Sequence, residues 1–279
     1  MGSDRDGAAV DEGLDLVARR ERRERRSREE TRALLLQMGA LVVRDEGLGA
    51  VTFKKVFDRL EKERGVHLTN ASVIGRVWRN QADFRADVLV AVALEENEAE
   101  IDRTLGGVGP TLAEVDRSTP EARRAAMREL CRLGGAANLQ AMRESTNWPL
   151  WISAWDLAVS SEDLAARARV ERALVAGYDA FNERIEEVYR VITELLGYRV
   201  RDSLTLRQFT LAVDALGQGC GLRDRIDSRH PDNILRPTGP GGEEQPWTLF
   251  GIAFEGLVSQ FFELDPAWQP EEDSGGRAS

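Results

Sequence analysis

Apolar residues recur in this chain at intervals of three and four positions, which is the spacing of one face of an α-helix. The clearest stripes are Leu34, Leu35, Met38, Leu41 and Val42, followed by Phe53, Val56, Phe57 and Leu60. The alternation with a period of two that favours β-strands is nearly absent. The pattern therefore predicts an all-α fold, with helices near 28–46, 52–65, 70–77, 82–105, 120–133, 148–159, 162–196, 205–219 and 247–263.

Glycine and proline mark the predicted breaks between these helices. Gly47 and Gly49 end the first helix, and Thr52 is a suitable N-cap for the second. The stretch 106–110 is expected to interrupt the chain again. The stretch 229–240, which is rich in proline and glycine, is predicted to be a long irregular loop.

The net charge of −10 is distributed unevenly along the chain. Residues 16–88 carry a net charge of +6, with seven arginines between positions 19 and 28, whereas residues 89–279 carry −12. A basic N-terminal part indicates that this end of the chain binds a polyanion. Charged, solvent-exposed helix faces alone would give a similar distribution. The arginine run is interpreted equally as a phosphate-binding arm and as an exposed helix face.

Several classes of protein are disfavoured by what the sequence lacks. No apolar run approaches the ~20 residues of a membrane-spanning helix, and residues 1–13 have no apolar segment typical of a secretion signal. Cys131 and Cys220 lie far apart and form no metal or disulfide pattern, which favours a reducing cytoplasm. There is no glycine-rich phosphate loop, no Ser-His-Asp order and no metal motif, so neither catalysis nor a cofactor is expected.

The segment 28–92 places three short helices before a longer fourth, and the third follows a turn at 65–69. A helix-turn-helix has this arrangement, because the N-terminal residues of its second helix contact base edges in the major groove. The positions that would contact DNA are small or polar: Thr69, Asn70, Ala71, Ser72 and Arg76. The positions that would face the core are apolar: Val73, Ile74 and Val77. Arg76 is the best candidate for reading a base, since arginine grips guanine through two hydrogen bonds. A solvated arginine is the alternative.

Further candidates for DNA contact are Arg28, Thr52, Lys54, Lys55 and Arg79. Thr52 also has an ordinary role as a helix cap. Trp78 is expected to be a core anchor between the third and fourth helices. His67 lies in the turn and is a candidate phosphate contact, whereas His230 is isolated.

This order of elements resembles the tetracycline-repressor (TetR) family of transcriptional regulators. The resemblance is carried by the Thr/Arg start and apolar stretch from Thr31 to Gly47, the Thr-capped second helix, Trp78, and residues 80–84 at the start of the fourth helix. It covers residues 28–92 best and extends more loosely to the C-terminal half. Gly75 stands where the family commonly has a phosphate-contacting tyrosine, and Gln81 replaces the usual lysine.

The resemblance implies a homodimeric repressor that binds a palindromic operator in double-stranded DNA and is released by a small-molecule effector. It implies four segments: a disordered or basic arm at 1–27, a helix-turn-helix domain at 28–88, a helical effector-binding and dimerisation domain at 89–268, and a disordered tail at 269–279. The last two long helices would form the dimer interface, with intramolecular core as the alternative. The candidate interface residues are Phe209, Val213, Leu216, Phe250, Phe254, Leu257 and Phe261.

Three tryptophans share one face of a predicted helix, since Trp148, Trp151 and Trp155 follow at i, i+3 and i+7. They favour either a packed core or the wall of an effector cavity. Under the second interpretation, the other candidate ligand-binding residues are Met127, Cys131, Met142, Tyr178 and Phe181. Two other functions stay open: a helical enzyme or small-molecule-binding protein that does not bind DNA, and an adaptor for protein partners.

Overall fold

The structure is a computed structural model that describes residues 27–94, 98–227, 233–238 and 242–269. All of the predicted arm except Ser27 lies outside these residues, as do His230, nearly all of the predicted tail and the side chain of Ser72. The described chain is mostly helical and divides into two compact units. The first contains the described residues up to Ala93 together with Leu150–Glu171. The second contains Leu94–Pro149 and the described residues from Arg172 onward.

The first unit begins with α1 (Arg28–Glu46), a 3-10 turn (Leu48–Ala50), α2 (Phe53–Arg64), α3 (Asn70–Val73) and α4 (Gln81–Ala93). Ser27 and Glu30 form a capping box, in which each backbone N–H donates to the other side chain. Thr52 accepts the N–H of Lys55 at 3.2 Å, and Gly65 ends α2 in the left-handed conformation. The predicted bounds of the first two helices are confirmed.

The core of the first unit is built on stacked aromatic rings. Phe53 and Phe84 stack with ring centroids 4.9 Å apart, and Trp78 meets Phe84 edge-on at 4.7 Å. Gly39 lets α1 and α4 approach closely, because a methyl group at that position would lie 2.6 Å from a methyl carbon of Val88. These contacts fix α1, α2 and α4 around one buried cluster.

The remaining elements are α5 (Glu98–Glu114), α6 (Pro120–Glu144), α7 (Trp148–Ser160), α8 (Leu164–Leu195), β1 (Tyr198–Val200), α9 (Leu206–Ile226), β2 (Ile234–Thr238), β3 (Glu243–Trp247), α10 (Leu249–Phe261) and β4 (Phe262–Leu264). Both sheets are two-stranded and antiparallel. β1 pairs with β4, with Tyr198 opposite Leu264, and β2 pairs with β3, with Ile234 opposite Trp247. In the described part of the chain, no helix has both the length and the hydropathy needed to cross a membrane.

The core of the second unit lies among α6, α9, α10 and the end of α8. Phe209 is its centre: the ring lies 5.0 Å from Tyr189 and 4.8 Å from Phe262, edge-on in both cases. α6 and α10 touch at their backbones, because a methyl group at Gly135 would lie 2.5 Å from the Cα of Gly251. Helix packing this close is available only where neither residue has a side chain.

Predicted bounds in the middle of the chain were wrong in three places. The predicted helix at 70–77 ends at Val73, because Gly75 adopts φ +77°, which an α-helix does not accommodate. The predicted helix at 82–105 is interrupted after Ala93, and the following helix α5 passes through 106–110 with Pro110 inside it. Leu105 and Leu112 flank that stretch and pack against the second core, so burial outweighs the weak helix propensity of the glycines.

Two further differences concern the second half. α6 continues to Glu144, well past the expected end near 133. Part of the predicted loop at 229–240 is the strand β2, which pairs with β3. The hairpin is held by Trp247, which is completely buried and donates its indole N–H to Thr238 at 2.7 Å. The described chain is therefore mostly helical with two small two-stranded sheets, which is compatible with the predicted all-α fold.

Candidate functional site

The end of α2, the turn that follows it and α3 present a polar surface on the first unit. Thr69, Asn70, Ala71 and Arg76 are all exposed, whereas Val73 is completely buried under them. Ile74 was expected to be buried but is 40% exposed, which makes that prediction wrong. The surface thus combines small polar groups with one exposed aliphatic side chain.

A tight turn follows α3 and carries Arg76. The N–H of Gly75 donates to the carbonyl of Trp78 at 2.7 Å, and the N–H of Val77 donates to the carbonyl of Val73 at 2.8 Å. Gly75 allows this turn because its φ of +77° lies in the left-handed region. Among the described residues, no carboxylate forms an ion pair with Arg76, so its guanidinium is available to an external anion.

Trp78 anchors this turn to the rest of the unit. Its ring is 4% exposed, and its indole N–H donates to Asp87 at 2.8 Å. Asp87 also accepts from Arg32 of α1 at 2.8 Å. The position of the turn is therefore set by a half-buried carboxylate as well as by aromatic packing.

A second carboxylate on α4, one helical turn before Asp87, binds two arginines. Asp83 accepts from Arg79 at 2.6 and 2.8 Å and from Arg169 at 3.0 Å. The hydrogen bonds from Arg79, with a further contribution from Arg169, hold the pKa of Asp83 well below its usual range although burial opposes the shift. The carboxylate is therefore ionised throughout the physiological pH range.

Sequence reasoning missed this positioning network. Asp83 and Asp87 stand four residues apart in a helix whose other polar residues are Gln81 and Arg85, and this spacing was the available signal. Arg85 was also missed: it donates to the carbonyls of Val51 at 2.8 Å and Gly49 at 3.1 Å. It thereby ties α4 to the connection between α1 and α2.

Three of the cations expected to contact phosphate are paired within the chain. Lys54 lies 2.6 Å from Asp58, Lys55 pairs with Glu46, and Arg79 is held by Asp83 as above. The Lys54–Asp58 pair is highly exposed, so a phosphate would replace the carboxylate at little cost. Arg28 is exposed at the start of α1, while Thr52 is half-buried and caps α2.

The eight candidate ligand-binding residues fall in both units. Trp151 is half-buried and Trp155 is 36% exposed, and both belong to the first unit. In the second unit, Met127 and Cys131 are core residues, and burial raises the pKa of the Cys131 thiol. Met142 and Trp148 pack against Gly221 of α9, and Arg225 stacks on the Trp148 ring at 5.2 Å. Tyr178 and Phe181 are half-buried on α8.

A half-open cavity of about 270 Å³ lies elsewhere in the second unit, where α6, α9 and the start of α10 meet. Apolar side chains form most of its wall, with two charged residues beside them. The lining residues are Leu139, Ala215, Leu216, Gly219, Cys220, Arg223, Asp224, Leu249 and Phe250. Two of these, Leu216 and Phe250, were candidates for the dimer interface, and none was a candidate for ligand binding.

The seven residues expected at the dimer interface pack within their own chain. Phe209, Val213 and Phe250 are buried in the second core, and the other four are half-buried against it. The opposite face of α9 carries exposed apolar and small residues at intervals of three and four positions. This α9 stripe consists of Leu211, Ala215, Gly219, Leu222 and Ile226.

In the described residues, no group of three or more His, Cys, Asp or Glu side chains is placed to hold a metal ion. Comparison with known proteins adds no assignment to this geometry. No family model matches the sequence, and no curated protein matches it.

Proposed function

We propose that this protein is a sequence-specific DNA-binding transcriptional regulator of the tetracycline-repressor type, which acts as a homodimeric repressor. The observation that carries the proposal is Arg76. It is an exposed guanidinium without a carboxylate partner among the described residues, beside the exposed residues Thr69, Asn70 and Ala71. An arginine in this setting is suited to a guanine edge, and small polar neighbours allow close approach to the groove.

Ile74 adds a second mode of base recognition to the same surface. A 40% exposed isoleucine next to polar residues is unfavourable in water. In the major groove its side chain would pack against a thymine methyl group, which is a sequence-dependent contact. The proposed site therefore discriminates bases through both a cation and an aliphatic group.

The proposed dimer forms through the α9 stripe. The five residues of this stripe carry no charge, so two copies related by a two-fold axis would meet without repulsion. The neighbouring cavity of about 270 Å³ opens beside Ala215 and Gly219, and it offers room for a leucine or isoleucine side chain of the second copy. Two DNA-binding surfaces related by a two-fold axis require a palindromic operator.

The proposed setting is the cytoplasm, and the proposed regulation is release by a small-molecule effector. Cys131 and Cys220 are both unpaired thiols, which fits a reducing compartment. An effector and DNA that favour different conformations weaken each other's binding reciprocally.

Selection of bound sequences from a random DNA library tests the proposal on the full-length protein. We expect enrichment of a palindrome, and fluorescence anisotropy on that sequence should show an affinity that falls steeply with salt. Arg76→Ala should weaken specific binding roughly 5- to 100-fold and relax the base preference at one position in each half-site. Arg124→Ala, which removes one exposed arginine from the second unit, is the matched control and should leave binding unchanged.

Three results would contradict the proposal. One is a library in which no sequence is enriched over random competitor. Another is equal binding by the Arg76→Ala and Arg124→Ala variants. The third is enrichment of sites without two-fold symmetry, which would contradict the dimer but leave DNA binding in place.

A further inference from the structure

A buried side chain in the second unit has no hydrogen-bond partner. Asn182, on α8, is completely inaccessible to solvent, and neither its amide nitrogen nor its amide oxygen has a partner among the described residues. A buried amide without partners is unfavourable, because it loses its hydrogen bonds to water and gains none. Such an amide is accounted for by an internal water or by a ligand that completes its hydrogen bonds.

The facing helix brings a carboxylate to the same place. Gln218 of α9 donates to the hydroxyl of Tyr178 on α8 at 2.8 Å, and Phe209 of α9 packs against Tyr189 of α8 at 5.0 Å. These two contacts bracket a stretch that we call the α8–α9 seam, between positions 178 and 189 of α8 and positions 209 and 218 of α9. Asn182 follows Tyr178 by one helical turn and precedes Tyr189 by two, so the three share one face. Asp214 lies inside the same seam, one turn before Gln218.

Among the described residues, no Lys or Arg forms an ion pair with Asp214. It is half-buried, and its hydrogen bond comes from the neutral amide of Gln218 at 2.8 Å. Arg207, two turns earlier on α9, is already held by Asp179 at 2.6 Å and Glu186 at 3.0 Å. A half-buried carboxylate without a counter-charge is stabilised by any cation that enters the seam.

The rest of the seam supplies an apolar and aromatic wall. Tyr189 packs against Phe209 and, at 6.1 Å, against Phe254. Burial raises the pKa of the Tyr189 hydroxyl, so this residue stays neutral. Aromatic faces attract organic cations and pack against their apolar portions.

We propose that the α8–α9 seam binds a small organic cation, a protonated amine with an apolar body, through the carboxylate of Asp214 and the amide of Asn182. The ammonium group donates to Asp214, the amide oxygen of Asn182 accepts a further N–H, and the apolar body lies against Tyr189. This site is independent of the proposed DNA-binding function. If that function holds as well, the amine is the class of effector that the protein senses.

Isothermal titration calorimetry at pH 8 on the full-length protein tests the proposal with three probes of similar shape: 2-phenylethylamine, 2-phenylethanol and phenylacetate. The amine should bind at least about tenfold more tightly than the alcohol, since a hydrogen bond to a charged group contributes more than a neutral one. Phenylacetate should bind most weakly. Asp214→Asn, which keeps the shape of the side chain, should weaken amine binding roughly 10- to 100-fold and leave the alcohol unaffected.

Asn182→Leu separates a ligand-binding role from a structural one. It replaces an unpartnered amide with an apolar group of similar size, so the thermal midpoint should be unchanged or higher while amine affinity falls. Glu171→Gln is the matched control, because it removes an α8 carboxylate that is paired with Arg167 outside the seam, and it should leave amine affinity unchanged.

Three outcomes would overturn the proposal. The amine and the alcohol could bind equally or not at all. The preference for the amine could survive Asp214→Asn. Asn182→Leu could lower the thermal midpoint without changing amine affinity, which would assign the amide to an internal water-filled network. None of these results bears on DNA binding, so the two proposals fail separately.

Discussion

The hydrogen bond from the Trp78 indole to Asp87 should contribute strongly to the stability of the first unit. The donor belongs to a ring that is 4% exposed, and the 2.8 Å bond ends on the side-chain carboxylate of Asp87. Hydrogen bonds to charged groups contribute about 1.5–3 kcal/mol when one partner is removed. Trp78→Phe removes this donor but keeps a ring that packs against Phe84, so part of the aromatic contact survives.

A double-mutant cycle isolates the bond from these packing losses. Trp78→Phe, Asp87→Ala and the double variant are unfolded in urea and followed by far-UV circular dichroism. The interaction of Asp87 with Arg32 is lost in both arms of the cycle and cancels. The coupling energy between the two sites should be about 1.5–3 kcal/mol.

The pair Lys54 and Asp58 gives the matched control. These side chains are 84% and 60% exposed and lie 2.6 Å apart. Their cycle should give a coupling of only about 0.3–0.5 kcal/mol, because solvent screens an exposed ion pair. Additive effects of Trp78→Phe and Asp87→Ala, or equal coupling in the two cycles, would refute the conclusion that the half-buried carboxylate of Asp87 positions the turn after α3.

Two further predictions concern α9. Burial raises the pKa of Asp214 from 3.8 to about 6 in the folded protein, against the opposing hydrogen bond from Gln218. The folded state therefore binds this proton more tightly than the unfolded chain does. The resulting contribution to the free energy of unfolding is complete below pH 4 and is lost as pH rises through 6, by about 2–3 kcal/mol. The urea midpoint of the wild type minus that of Asp214→Asn should decrease as the pH rises from 4 to 8. A difference that does not change with pH would contradict the raised pKa of Asp214. For the proposed dimer, Leu222→Glu on the α9 stripe should give monomers by light scattering, whereas Leu235→Glu, at an even more exposed leucine on β2, should not. A dimer in both variants would exclude this face.

The sequence predicts the elements whose ends are marked by local chemistry. α1 begins at a capping box and stops at Gly47, and α2 begins at the Thr52 cap and stops at Gly65. These signals act within four residues, so they can be recognised without knowing the fold. The exposure of Thr69, Asn70 and Arg76 was also predicted from the local pattern of polar and apolar residues.

Prediction was wrong where distant contacts decide the structure. α5 continues through Pro110 because residues on both sides of it are buried, and the β2–β3 hairpin depends on a tryptophan that packs in the second core. On α9, the residues predicted to face a partner, Phe209, Val213 and Leu216, pack in or against the second core, which was the stated alternative, and the exposed stripe is on another face. The interface at these residues stays a prediction. Which stripe faces inward depends on α6 and α10, which local periodicity does not reveal.

Asn182 and Asp214 could not have been paired from the sequence either. They are far apart along the chain, and each has an ordinary local environment in its helix. Their significance arises from the contact of α8 with α9 through Tyr178 and Gln218. A polar residue in the middle of a long helix is most often a solvated one, so only burial distinguishes Asn182.

The backbone contact between Gly135 and Gly251 determines which part of the second unit is able to move. Two helices that touch without intervening side chains cannot slide or separate without opening a void, so α6 and α10 behave as a single stiff block. α8, by contrast, meets α9 mainly through long side chains that change rotamer at low energy. Rotamer changes at the contact of α8 with α9 therefore require less rearrangement than a shift of α6 against α10.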